Sequence, residues 1–193
     1  MLSLFERIGK FQLEPRLASA YGVVLYTEAH PFVHKLVADN VYCKALNAIS
    51  GDRWVLFASR AKAGRFGYPK FGPDQMGMMV MMWHEPAENR QLLEELQIES
   101  TENLPCLLVL FPDSNGEAFV HTIKIEGKSE AETFESLSQS VKAITQAIKD
   151  VSDDNLKNAE GVHAAVGLRL QTLKQWNMVR KALPFIRLVR VAF

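Results

Sequence analysis

Leu104-Pro105-Cys106-Leu107-Leu108-Val109-Leu110-Phe111 is an apolar run opened by a proline and followed at once by Pro112-Asp113-Ser114-Asn115-Gly116. A short continuous apolar run bounded by turn residues reads as a strand buried on both faces. The Asn-Gly pair accepts the positive φ of a tight hairpin turn, so an antiparallel return is expected from Ala118 to Ile125.

Downstream, beyond Gly127, Phe134, Leu137, Val141, Ile144 and Ile148 recur at offsets of three, seven, ten and fourteen, the spacing of one apolar helix face. Ser129 followed by Glu132 supplies a capping box for its first turn. From Ser152 onward a further helix is expected, carrying Leu156, Val162, Val166, Leu170 and Leu173 and ending before Pro184. Its last stretch, Phe185 to Phe193, alternates apolar residues with Arg187 and Arg190.

Upstream, Val23-Val24-Leu25-Tyr26 after Gly22 reads as a buried strand. A helix is expected from His30-Pro31, since a proline costs little in a first turn whose N–H groups have no partner in the helix. It carries Val33, Leu36, Val37 and Val41 and ends at Ser50-Gly51. Trp54-Val55-Leu56-Phe57-Ala58 is the next strand, and strand-helix-strand order implies a parallel pair. Six Gly and Pro residues between Gly64 and Gly77 predict a long irregular loop from Lys62 to Gly77. Met78 to Trp83 has strand length, and Pro86 opens a helix with Leu92, Leu93 and Leu96.

The segment from Met78 to Lys149 resembles the C-terminal half of thioredoxin: strand, helix, a proline-led strand at Leu104-Pro105, a hairpin at Asn115-Gly116-Glu117 and a closing helix. With the earlier strand-helix-strand unit the resemblance extends over most of residues 22–149. It implies an α/β, thioredoxin-like fold, with a central mixed sheet of about five strands flanked by helices, and a cis peptide at Leu104-Pro105. It divides the chain into a lead-in over 1–21, the thioredoxin-like domain over 22–150 and a C-terminal helical extension over 151–193. Two placements of that family's redox loop are open. In one it falls on Phe57 to Gly64, with Ala61 and Gly64 at the cysteine positions; in the other it falls on Tyr26 to Val33. Both cysteines are missing either way, and dithiol exchange needs an attacking thiolate and a resolving partner.

The chain of 193 residues, 48% apolar, is long enough for one core and an appendage. Its formal net charge is zero, which supplies no general attraction to nucleic acid. The charge is unevenly spread: residues 85–160 carry six basic and sixteen acidic groups, residues 161–193 six basic and none acidic. The basic tail therefore has acidic surface of its own molecule, or of a dimer mate, to neutralise it. Packing on the sheet edge or on such a mate is the expectation for Arg180, Lys181, Arg187 and Arg190 among Leu183, Phe185 and Ile186, with an anionic membrane as the alternative. Two cysteines are too few for a disulfide framework, and no run approaches the ~18 apolar residues of a membrane span. A reduced, cytoplasmic protein without a transmembrane segment, cofactor or metal is expected, with an unknown protein or itself as partner.

Five residues are candidates for a site. The resemblance places Pro105 and Cys106 beside the groove where relatives hold a substrate backbone; Cys106 is either a packed apolar residue or a thiol activated by a nearby cation or helix terminus. His30, at a helix start beside Glu28, is either a solvent-facing or capping residue or a neutral polar contact or base. Arg65 and Tyr68 lie in the loop 62–72 with Phe66, Lys70 and Phe71, a composition that stacks on and neutralises a small anion or nucleotide, and that also occurs in plain connectors. Cys43 falls in a helix and is expected to be inert. His84, His121 and His163 show no ligand spacing and receive no role. The leading expectation is a non-catalytic interaction module. A monothiol enzyme or sensor using Cys106 and a small-ligand binder using loop 62–72 are the alternatives.

Overall fold

The computed structural model describes residues 19–67, 82–84, 86–89, 93, 94, 96, 98–114, 117–156, 158–172 and 186–187. Strand β1 (Ala20–Thr27) lies inside the main sheet, because parallel β2 (Trp54–Ala61) pairs on one side and antiparallel β5 (Cys106–Pro112) on the other. Strand β6 (Glu117–Lys124) pairs antiparallel to β5, with Pro112 opposite Ala118. Among the described residues, four strands of full length make the order β2-β1-β5-β6, rather than the expected five. A two-residue strand, β7 (Ile186–Arg187), pairs with Glu117 and Ala118 at the outer edge. It is too short to add a layer to the sheet.

Alternation along the strands sends successive side chains to opposite faces. Val24 and Tyr26 of β1 and Leu107, Val109 and Phe111 of β5 face one cluster, which also holds Trp54 and the helices. Val23, Leu25, Cys106, Leu108 and Leu110 face the other, with Leu96 and Leu104. Burial on both sides explains why these strands read as continuous apolar runs.

The helix expected from Pro31 to Ser50 is two: α1 (Pro31–Ala38) and α2 (Asn40–Ser50). Asp39 breaks them. Its backbone is extended, and its carboxylate accepts from the Val41 N–H at 2.7 Å, so the side chain caps a new helix instead of continuing the old one. Val41 is consequently 72% exposed instead of buried on a single helix face. Helix α3 (Glu130–Asp150) starts as the sequence implies: Ser129 Oγ accepts from the Glu132 N–H, and Glu132 Oε2 accepts from the Lys128 N–H. The indole N–H of Trp54 donates to Thr145 Oγ1 of α3 at 2.9 Å, and both residues are buried. Trp54 lies across Gly22, where a Cβ would stand 2.5 Å from its ring.

Two more expectations are corrected. Within the stretch expected as one irregular loop, β3 (Arg65–Gly67) pairs antiparallel to β4 (Met82–His84) as a separate two-stranded sheet. The single helix expected from Ser152 is a 3-10 turn, Asp153–Asn155, then α4 (Ala159–Gln171), whose cap Asn158 accepts from the Gly161 N–H. Val162, Val166 and Leu170 of α4 are buried in the same core as the sheet. The hairpin residues Asn115 and Gly116, and the C-terminal residues beyond 172 other than β7, lie outside the described residues.

Candidate functional site

Strand β1 ends at Thr27 and the chain reverses into α1 through a tight turn. The His30 N–H donates to the Thr27 carbonyl at 3.0 Å, and the Ala29 N–H donates to Thr27 Oγ1 at 3.3 Å. His30 Nδ1 lies 3.1 Å from the Thr27 N–H donor and 3.0 Å from Thr27 Oγ1. With Nδ1 accepting from the Thr27 amide, the ring proton belongs on Nε2. The ring also hydrogen-bonds the backbone of Leu104. Burial holds the His30 pKa below its usual value, against the pull of the Thr27 and Leu104 backbone groups, so the imidazole is neutral at pH 7.

The opposite wall is a second turn. Ser100 Oγ accepts from the Glu102 N–H, and the Leu104 N–H donates to the Thr101 carbonyl at 3.2 Å. The Leu104-Pro105 peptide is cis, and the Pro105 carbonyl accepts from the Ile125 N–H at 3.0 Å. Register carries the two turns together: Leu25 stands opposite Cys106, so Leu104 and Pro105 lie at the end of β1 where His30 follows. Glu28 and Ala29 are exposed in the first turn, and Glu102 and Asn103 in the second. Glu28 Oε1 lies 3.6 Å from Arg60 Nη1 of β2, an exposed pair of little energetic weight.

Of the five candidate residues, the fold brings His30, Pro105 and Cys106 to one end of the sheet. Cys106 is 2% exposed among Leu96, Leu104 and Leu108, and burial pushes its thiol up to about 12. Such a thiol is protonated at neutral pH, and the thiolate is the nucleophile. Arg65 is exposed on β3 and belongs to the separate β3–β4 sheet. Tyr68 lies outside the described residues. Cys43 is exposed on α2, its Sγ donating to the Val37 carbonyl at 3.3 Å.

The two stretches on which the resemblance allowed a redox loop end differently. Ala61 ends β2 opposite Thr27, and the chain beyond it runs through Gly64 into β3 rather than into a helix. Asn89 holds that exit, accepting from the Lys62 N–H and donating to the Lys62 carbonyl. The stretch Tyr26 to Val33 does enter a helix and does meet Leu104. The sequence reading of His30 as a cap, a polar contact or a base did not name Thr27 as its partner. The Thr-x-x-His spacing across a turn was the available signal, since a side chain at i+3 reaches back to the backbone at i. His30 does stand at the N-cap of α1, but its side chain makes no capping hydrogen bond; as a neutral polar contact it ties the β1–α1 turn to Leu104.

No group of three or more His, Cys, Asp or Glu among the described residues is arranged to hold a metal ion, and no described helix is long and apolar enough to cross a membrane. Comparison with family models, with curated proteins and with solved structures found no match.

Proposed function

We propose that this chain is a thioredoxin-like interaction module without thiol redox chemistry, which engages another protein through the surface where the β1–α1 turn meets Leu104-Pro105. Three features support the fold assignment: the order β2-β1-β5-β6 with β1 and β2 parallel and the others antiparallel, a helix entered from the end of β1, and a cis proline leading β5.

The observation that carries the functional reading is the chemistry of the turn. Where a dithiol would stand, Thr27, Glu28, Ala29 and His30 form a hydrogen-bonded unit whose imidazole is engaged by Thr27 and Leu104. That arrangement makes a fixed platform, and it carries no thiol. A rigid surface loses little conformational freedom on binding, which is what a recognition site needs.

Two measurements test the proposal. Insulin disulfide reduction with dithiothreitol should run at the background rate; turnover that disappears in Cys106→Ser would overturn the non-catalytic reading. A photo-crosslinking residue at Glu28 or Glu102 should capture one protein species from the source cells, and Ala29→Arg should abolish the capture. Identical capture from a crosslinker at Lys142, an exposed position on α3, would refute the assignment of the surface.

A further inference from the structure

His121 of β6 and His163 of α4 are 42 residues apart in the chain, and their rings are stacked with centroids 3.9 Å apart and planes 7° from parallel. His121 Nε2 lies 2.9 Å from the His163 carbonyl, and the His163 ring hydrogen-bonds the Val120 backbone. Each imidazole therefore reaches the backbone of the other's element. Phe111 stands nearly perpendicular to both rings, with centroids 5.8 and 5.6 Å away, and Phe119 lies 5.4 Å from His163. A Cβ on Gly167 would stand 3.2 Å from His121 Cε1, so α4 approaches the pair about as closely as a glycine permits.

Of the elements packed on the pair or on α4, α3 carries Glu130, Glu132, Glu135, Lys142, Lys149 and Asp150, and none of these is among the groups that shift either ring. Cys106, at the far end of β5, is that strand's one ionisable residue, and β6 bears Glu117 and Lys124 at its two ends, with Arg187 of β7 opposite Glu117. Of the charged residues on α4, Glu160 acts on His163 and favours its protonation; Arg169 lies near the other end of the helix. For His121, a charge on the stacked His163 ring would add repulsion to the cost of burial. Burial lowers the pKa of both, that of His121 to about 4.

We propose that the His121–His163 stack is an acid-operated latch, which holds α4 on the sheet while both rings are neutral and releases it when they are protonated. The latch is independent of the surface at His30 and Pro105. A histidine whose folded pKa is depressed contributes stability above its unfolded pKa, near 6.5, and loses it as pH falls toward the folded value. From 6.5 and about 4, His121 alone should raise the opening equilibrium of α4 about thirtyfold between pH 7.5 and pH 5.0. His163 adds to this in the same direction.

Native-state hydrogen exchange, corrected for the intrinsic pH dependence, reads the effect segment by segment. In the wild type, amides of Ala159–Gln171 should lose about thirtyfold of their protection at pH 5.0, while those of β1 and β5 keep theirs. His121→Gln with His163→Gln removes both titrating rings and should flatten the dependence. If that variant does not fold, imidazole titration of the wild type by NMR decides instead: the latch requires the α4 amide shifts to follow the His121 and His163 midpoints, both below 6.5. Unchanged α4 protection in the wild type, persistence of the dependence in the double variant, or equal loss in β1 and β5 would each overturn the proposal.

Discussion

Cys106 separates the interaction reading from a monothiol enzyme, and its reactivity follows from its burial. Removing Cys43 with Cys43→Ser leaves Cys106 as the single thiol; a serine there can still donate to the Val37 carbonyl. With the folded pKa at about 12 against 9.0 for a free thiol, the thiolate fraction at pH 8 falls about a thousandfold on folding. A more basic thiolate is a better nucleophile, which returns about 1.2–1.5 of those three decades. Ionisation alone therefore leaves Cys106 about 30- to 60-fold slower in the native protein than in guanidinium. Exclusion of the reagent from a site 2% exposed slows it further. The assay is iodoacetamide alkylation followed by mass spectrometry from pH 7 to 10, native and denatured. A native rate within about threefold of the denatured rate, or an apparent pKa below 9, would refute the burial argument and restore the enzyme reading. The same shift has a stability signature. A group whose folded pKa is raised loses its contribution as pH climbs from 9.0 toward about 12, a total of about 4 kcal/mol for three pK units.

Thr145→Val removes the acceptor of the Trp54 indole N–H and should cost about 1–3 kcal/mol in denaturant unfolding, while Thr145→Ser stays near wild type. Gly22→Ala drives a Cβ into Trp54 and into Leu56, at 2.5 and 2.7 Å, and should cost about 1–3 kcal/mol; a double-mutant cycle with Trp54→Phe should show that the two sites are coupled, and simple additivity would count against the clash. Truncation after Val151 removes Val162, Val166 and Leu170 from the core and uncovers Phe111, so light scattering should report an aggregating product. A soluble truncated chain with unchanged melting temperature would show that α4 adds nothing to the core.

The amino-acid sequence by itself determined the elements whose signal is local. β5, β6 and α3 were legible because an apolar run, a helical spacing and a capping serine are each written within a few neighbouring residues. It determined the missing dithiol too, since neither candidate loop contains a cysteine. Tertiary structure decided everything that depends on which elements become neighbours. Apolar runs say that β1 and β5 are buried, but only their pairing, Leu25 opposite Cys106, puts His30 at Leu104 and leaves Ala61 on the edge strand. Asp39 could cap a helix or ride within one, and in the fold its carboxylate caps α2. His121 and His163 carried no spacing at all. Their stack exists because α4 lies on β6, and contacts between residues 42 apart follow from the summed burial of whole elements rather than from any pattern in the chain.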